Sequence, residues 1–210
     1  MQTDLLMPVF TIAALILSII LHEVAHGYAA YALGDPTAKL SGRLTLNPLP
    51  HIDPVGSILI PALGVLSGTG VLFGWAKPVP YNPYNLKNQR WGEALVGIAG
   101  VATNLALAVL FALVARAAFA ESWLTFASFA AIVSYLNLFL GFFNLIPFPP
   151  LDGFTVLRGI LPYKYAVPLR SLEAALGGFT GLIIFLVLFS YVLSGPFSSF
   201  VESVFALLIG

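Results

Sequence analysis

Residues 8–33 read PVFTIAALILSIILHEVAHGYAAYAL, a run in which two histidines and a glutamate interrupt an otherwise apolar sequence. A helix of this length measures about 39 Å at 1.5 Å per residue, which is enough to cross a bilayer with some tilt. Gly34, Asp35 and Pro36 follow and predict its end, because Gly and then Pro commonly follow a helix C-terminus. The segment therefore predicts a transmembrane helix that carries ionisable groups somewhat past mid-depth.

The composition predicts an integral membrane protein. Of the 210 residues, 59% are hydrophobic and only 9% are charged, whereas soluble domains carry about 25% charged residues. We expect a single domain over residues 1–210 in the lipid bilayer of the cell membrane. The net charge is zero, so no nucleic-acid partner is implied. The chain has no cysteine, which leaves His, Asp and Glu to bind a metal.

Five further segments complete the predicted all-α, polytopic architecture. Residues 92–118, 123–146 and 177–193 are apolar runs that predict further spans. Residues 55–73 are apolar but broken by proline and glycine, so they either span or re-enter the membrane. Residues 197–209 are short for a span, so we expect them at the membrane interface.

A small membrane-associated β element is also predicted. Residues 38–47 alternate between apolar and polar side chains, which is typical of a half-buried strand. Residues 74–83 contain several prolines, which suit an edge strand or a loop. An extended substrate would be able to add to the edge of the first strand.

The basic residues favour one topology. If residues 55–73 re-enter, eight of the nine basic residues share one side and Arg116 is alone on the other; if these residues span, the distribution is six against three. Cytoplasmic loops carry the excess of Lys and Arg. We therefore expect the N-terminus outside and the ionisable groups of residues 8–33 nearer the cytoplasm.

His22 and His26 are candidate metal ligands, and Glu23 is a candidate general base. Side chains at positions i and i+4 share a helix face about 6 Å apart, so both imidazoles reach one zinc ion. Zinc lowers the pKa of bound water, and a carboxylate beside it accepts the proton. Alternatively, the histidines pack with satisfied hydrogen bonds and Glu23 is a counter-ion. Such groups are costly in a membrane helix, and residues 8–33 contain no Lys or Arg partner.

Asp152 is a candidate third ligand, since a catalytic zinc takes three protein ligands and keeps one open position. It ends the run Asn144–Asp152, in which three prolines bend the chain at the end of an apolar span. Asp152 would equally serve as the N-cap of a helix beginning near Phe154. The spacing alone leaves both interpretations open.

Taken together, His22-Glu23-x-x-His26 and Asn144-x-x-Pro147-x-x-Pro150-Leu151-Asp152-Gly153 resemble the site-2 protease family of intramembrane zinc metalloproteases. The resemblance implies that Asp152 is the third ligand of one Zn²⁺ ion. It also implies that Asn144 lies near the active site and helps bind substrate or the oxyanion. The family's three-helix core would correspond to residues 8–33, 92–118 and 123–152.

Two further polar residues are weaker candidates. The segment Ala99–Asn104 resembles the family's Gly-Pro-x-x-Asn segment, although Val101 stands where proline is usual. Asn104 contacts substrate in one interpretation and makes an interhelical hydrogen bond in the other. His51 lies in a proline-rich segment and either stabilises the reaction intermediate, gates the site or belongs to a turn.

The resemblance implies a minimal intramembrane metalloprotease that cleaves transmembrane segments of other membrane proteins. The chain lacks the length for the PDZ or CBS domain that some family members carry. It would rely on prior trimming of its substrate, on an unknown regulatory membrane partner or on its own gate. The alternative is a zinc-binding membrane transporter or channel, since His and acidic residues in spans also form ion pathways.

Overall fold

A computed structural model of the chain describes residues 3–60, 62, 66 and 74–210, and within these residues it contains helices and no strand. The helices are α1 (Thr3–Ala32), α2 (Thr37–Leu40), α3 (Gln89–Ala120), α4 (Leu124–Asn144), α5 (Asp152–Ile160), α6 (Tyr163–Leu176), α7 (Phe179–Leu188) and α8 (Ser194–Ile209). Short 3₁₀ turns cover Leu49–His51 and Pro83–Asn85, and π-helical turns cover Pro54–Leu59 and Phe189–Leu193.

Among the described residues, four helical stretches are long and apolar enough to cross a membrane: Leu6–Ala32, Trp91–Ala120, Leu124–Asn144 and Gly181–Ile209. The predicted all-α, multi-pass architecture is confirmed to this extent. The question of whether residues 55–73 span or re-enter falls mostly outside the described residues.

The helices α1, α3 and α4 pack against one another. Their contacts are lined by small buried side chains, among them Ala108, Ala112 and Ala130. Side-chain hydrogen bonds also join these helices: Ser134 Oγ donates to the Ala108 carbonyl and Asn137 Nδ2 donates to Ser18 Oγ, each at 2.8 Å. Close approach and polar bonds of this kind hold helices together in lipid, where burial of apolar surface gives no driving force.

The C-terminal helical stretch is longer than the sequence predicts. We expect a span over residues 177–193 and a short interfacial helix after it, but one apolar stretch continues to Ile209. Pro196 does not interrupt it, because this residue lies in the first turn of α8, where a backbone N–H is not required. The Phe143 ring of α4 packs against Phe185 and Phe197 and so holds this stretch in place.

The predicted strand at residues 38–47 is wrong. The Asp35 carboxylate accepts hydrogen bonds from the backbone N–H and the hydroxyl of Thr37, and α2 begins there. Gly42 has a φ of 64°, which reverses the chain, and the Arg43 N–H returns to the Ala38 carbonyl at 3.0 Å. Backbone groups that are hydrogen-bonded within this turn are not available to a partner strand. The alternation of apolar and polar side chains therefore does not lead to a β-strand here.

Residues 74–82 form neither helix nor strand, in agreement with the loop alternative. We call them the crossing segment, because they pass beside α1 at the depth of its ionisable residues. The Lys77 N–H donates to the His51 carbonyl at 2.9 Å, and Arg43 Nη2 donates to the Lys77 carbonyl at 2.6 Å. The loop of residues 43–51 therefore holds the crossing segment at Lys77.

A buried ion-pair cluster fixes α5 and α6 against α3. Glu93 is 2% exposed and accepts hydrogen bonds from Arg158 at 2.5 Å and from Arg170 at 2.7 Å. Arg158 also pairs with Glu173. Buried charges are tolerated when paired in this way. Because Arg158 lies on α5, the cluster sets the position of the helix that begins at Asp152.

Candidate active site

Three side chains of the types that bind metals converge between α1 and α5. His22 Nε2 lies 2.9 Å from His26 Nε2 and 2.9 Å from Asp152 Oδ2, and His26 Nε2 lies 3.3 Å from the same oxygen. Both histidines are buried, and the Asp152 side chain is 21% exposed. The two histidines meet because α1 stacks positions i and i+4, whereas Asp152 arrives from a helix 126 residues further along the chain.

This trio fits a tetrahedral zinc site. Zinc binds His nitrogen at about 2.0–2.1 Å and carboxylate oxygen at about 2.0–2.2 Å, which places two ligand atoms about 3.3 Å apart. No fourth His, Asp or Glu joins the trio among the described residues, which leaves a coordination position for water or substrate. The N-cap position of α5 is Leu151 and Asp152 is the first residue of the helix, so the geometry favours the ligand interpretation over the N-cap.

The orientation of the His26 ring is fixed by its second nitrogen. Nδ1 donates a hydrogen bond of 2.7 Å to the Val96 carbonyl on α3. This bond sets the tautomer and leaves the Nε2 lone pair free for a metal, as outer hydrogen bonds commonly do for ligating histidines.

Gly100 lets α3 pass directly beside the imidazoles. A Cβ atom at this position would lie 2.5 Å from His26 Nε2 and 2.7 Å from His22 Cε1. No side chain larger than hydrogen fits there without displacing the rings. Gly100 stands four residues before Asn104, but the sequence gives no sign of this contact, which depends on how α1 and α3 pack.

Glu23 lies beside the trio, and its Oε2 accepts a 2.7 Å hydrogen bond from the backbone N–H of Val79 in the crossing segment. The side chain is half-buried. It lines the same cavity as His22, His26 and Asp152, a space of about 610 Å³. This volume is within the usual range for ligand sites, about 300–1,000 Å³. The sequence does not predict the contact with Val79, which is 56 residues away.

The three weaker candidate residues differ in whether they line this cavity. Asn144 and Asn104 line the cavity. Asn144 Nδ2 donates to the carbonyl of Leu140 in its own helix at 3.0 Å, while both polar atoms of the fully buried Asn104 side chain lack a hydrogen-bond partner among the described residues. His51 is outside the described cavity lining; it is buried, and its Nε2 donates to the Thr45 carbonyl at 2.9 Å.

Tyr81 ends the part of the crossing segment that lines the cavity. Burial, together with the nearby Glu93 carboxylate, raises the pKa of its hydroxyl above the ordinary value. Tyr81 therefore stays neutral at physiological pH.

The comparison with known proteins agrees with this site. The family model for Peptidase family M50, the site-2 protease family, matches residues 115–188, which include Asp152. YwhC of Bacillus subtilis, whose name assigns it provisionally to the zinc metalloproteases, is 42% identical over 200 residues; the match covers 90% of this chain and 85% of YwhC. The chain belongs to Peptidase family M50.

Less similar relatives carry similar names. Rip2 of Mycobacterium tuberculosis, also provisionally named a zinc metalloprotease, is 33% identical over 150 residues, which cover 71% of this chain and 56% of Rip2. The zinc metalloprotease MJ0392 of Methanocaldococcus jannaschii is 28% identical over 175 residues, 83% of this chain and 41% of that protein. No solved structure matches with comparable significance. As an M50 peptidase, the chain is a multi-pass membrane zinc metalloprotease.

Proposed function

We propose that this M50 peptidase hydrolyses peptide bonds within or near transmembrane helices of other membrane proteins, the chemistry of regulated intramembrane proteolysis. The observation that carries this proposal is the position of His22, Glu23 and His26 inside the apolar span Leu6–Ala32, with Asp152 beside them. Titratable groups at membrane depth are costly and are functional by default. A site at this depth suits a substrate that arrives through the lipid.

His22, His26 and Asp152 are the proposed zinc ligands and Glu23 is the proposed general base. Bound zinc would polarise the scissile carbonyl and acidify water. Glu23 takes a proton from the attacking water as the water oxygen bonds to the carbonyl carbon. Glu23 then delivers that proton to the amide nitrogen as the C–N bond breaks, and so returns to its ionised form.

Asn104 and Asn144 are proposed to bind the substrate backbone or the oxyanion. The unpaired amide of Asn104 supports this role, because a buried amide without partners is costly and an unwound substrate segment supplies both a donor and an acceptor. His51 is better suited to a supporting role, since its own carbonyl holds Lys77 of the crossing segment.

We propose a topology with the N-terminus outside and the site nearer the cytoplasm. The Phe10 ring of α1 contacts Phe129 near the start of α4, so the beginnings of these helices lie at the same end of the bundle. The hydrogen bond from Arg43 to Lys77 brings two basic segments together at the other end. This arrangement supports the eight-against-one distribution of basic residues.

Cysteine labelling should test this topology directly, because these 210 residues contain no cysteine. In intact cells, a membrane-impermeant maleimide should label Ser122→Cys, in the turn between α3 and α4, and should not label Ser41→Cys after α2. Both variants should react once the membrane is permeabilised. The reverse pattern in intact cells would contradict the proposed orientation.

Glu23→Gln should abolish proteolysis and preserve the fold and the metal content. The amide is nearly isosteric with the carboxylate but cannot accept the proton, so we expect turnover to fall by about 10²–10⁴-fold. The measurement uses purified protein in liposomes with a mixture of synthetic peptides, each with about 20 apolar residues flanked by lysines. Mass spectrometry identifies fragments with new termini.

Glu121→Gln is the matched control, because Glu121 lies in the turn after α3 and should not affect cleavage. Fragments produced equally by the wild-type protein and by Glu23→Gln would refute Glu23 as the base. Zinc flux across the liposome without any cleavage would favour a transporter.

A further inference from the structure

The crossing segment is held on both sides of residues 78–81. Asn82 donates its backbone N–H to Asp35 Oδ2 at 2.6 Å, and His51 and Arg43 hold Lys77 on the other side. Burial opposes ionisation of Asp35, but its hydrogen bonds from Thr37, Asn85 and Asn82 hold the pKa of this carboxyl below its ordinary value, so Asp35 stays charged at neutral pH. The position of residues 78–81 is therefore set by the fold on either side.

Within this segment, only one backbone N–H between Lys77 and Tyr81 is available to bond. The sequence is Pro78-Val79-Pro80, and proline has no N–H. The N–H of Val79 donates to Glu23 Oε2 at 2.7 Å. Two prolines thus leave a single donor, and it is directed at the proposed base.

The close approach depends on Gly27, one turn after Glu23 on α1. A Cβ atom at Gly27 would lie 2.9 Å from Val79 Cγ1 and 2.5 Å from Leu44 Cδ2. The Val79 side chain is buried at this contact. Glycine inside a helix costs up to about 1 kcal/mol relative to alanine, so its presence calls for a packing reason, and Leu44 together with Val79 of the crossing segment supplies it.

We propose that Val79 is a positioning residue for the proteolytic reaction, with its backbone N–H holding the carboxylate of Glu23 in place. This inference rests on the proposed role of Glu23 as general base. A glutamate side chain has three rotatable bonds, and the hydrogen bond to Oε2 restricts their rotation. Within the described structure, Oε1 accepts no hydrogen bond. Oε1 is the oxygen left free to accept the proton from water.

The alternative is that the bond only anchors the crossing segment to α1. The two roles differ in what the bond controls. An anchor affects stability and the shape of the cavity, so its loss changes substrate binding or metal content. A positioning bond affects proton transfer, so its loss lowers kcat and leaves KM and zinc content unchanged.

The first test detects the bond without substrate or metal. Protein labelled with ¹⁵N-valine is studied in detergent after zinc removal, and Val79→Ala identifies the Val79 resonance by its disappearance. We expect the Val79 amide to be protected from hydrogen exchange in the natural chain and to exchange at least about 10-fold faster in Glu23→Ala, which removes the acceptor. Equal exchange in both proteins would overturn the proposal.

The second test removes the N–H alone. An ester in place of the amide at position 79 deletes the donor and keeps the valine side chain. Using a peptide that the wild-type protein cleaves, we expect kcat to fall by about 10–100-fold, the range for outer-shell partners, with KM and zinc content unchanged. An ester at Ala76, in the same segment, is the matched control because the Ala76 N–H donates no hydrogen bond in the described structure.

The outcomes separate this inference from the proposed function. Normal kcat in the position-79 ester, with Glu23→Gln inactive, overturns the positioning role and leaves Glu23 as base. Loss of zinc or a raised KM in the position-79 ester shows an anchor and also overturns it. Cleavage by Glu23→Gln at the wild-type rate refutes the base itself.

Discussion

Gly100→Ala should eliminate zinc binding and proteolysis in a protein that still folds. The added methyl group would meet His26 Nε2 at 2.5 Å and His22 Cε1 at 2.7 Å, so both rings must move. His26 cannot turn away freely, because its Nδ1 is bonded to the Val96 carbonyl one turn along the same helix α3. A displacement of about 1 Å in a catalytic group costs on the order of 10²-fold in rate.

This variant separates the site from the fold. Alanine is the better helix former by up to about 1 kcal/mol, so Gly100→Ala should not lower helix content. We expect the zinc content of purified protein to fall from about one per chain to a small fraction and peptide cleavage to fall by at least about 100-fold. The measurements are metal analysis after dialysis, circular dichroism and the liposome cleavage assay.

Gly195→Ala in α8 is the matched control, because a Cβ atom there has no neighbour within 4 Å. It should keep both zinc and activity. Gly97→Ala in α3 is an intermediate case, with its nearest contact at 3.2 Å to Val156, and should reduce activity less than Gly100→Ala. Full zinc content and full turnover in Gly100→Ala would show that the two imidazoles do not lie against α3 at this position.

The sequence predicts the helical architecture well because its signals are local. A run of 26 residues with few polar groups predicts a transmembrane helix wherever it occurs, and residues 8–33 form most of α1. The pairing of His22 with His26 follows from helical periodicity alone. The proximity of Asp152 required the family resemblance, because nothing in its local sequence distinguishes a ligand from an N-cap.

The predictions from sequence are wrong where long-range or competing contacts decide the structure. At residues 38–47, alternation of side chains predicts a strand, yet the carboxylate of Asp35 starts a helical turn at Thr37 and Gly42 reverses the chain. At residues 193–197, the sequence predicts a break, yet the helix continues because Pro196 falls in a first turn. The periodicity of apolar residues and the composition do not reveal which of two possible local conformations the backbone adopts.

Contacts between distant segments also limit what the sequence predicts about the candidate active site. The roles of Gly100 and Val79 come from contacts between segments far apart in sequence. The ion-pair cluster around Glu93 likewise joins three helices, although charged residues in so apolar a chain are a signal that was available. A catalytic role for His51 is suggested by its residue type alone. Its hydrogen bond to the Thr45 carbonyl and its burial instead suit a structural role.

His26→Ala and Asp152→Ala should each lose zinc, and the comparison between them tests the three-ligand site most directly. His26 Nε2 and Asp152 Oδ2 lie 3.3 Å apart and both contact His22 Nε2. Each substitution therefore removes one of the three proposed zinc ligands. Two remaining ligands do not hold zinc in the tetrahedral geometry that it prefers. We expect about one zinc per chain in the wild-type protein and a small fraction in both variants after dialysis against a weak chelator.

Asn144→Ala is the control for this comparison, since Asn144 lines the same cavity without belonging to the ligand trio. It should keep its zinc even if cleavage falls. Retention of zinc by Asp152→Ala alone would return Asp152 to the role of a helix-initiating residue and require another third ligand. Loss from both variants would mean that the metal joins α1 to α5, because His26 and Asp152 belong to those two helices. The zinc would then stabilise the packing of the bundle as well as supply the chemistry.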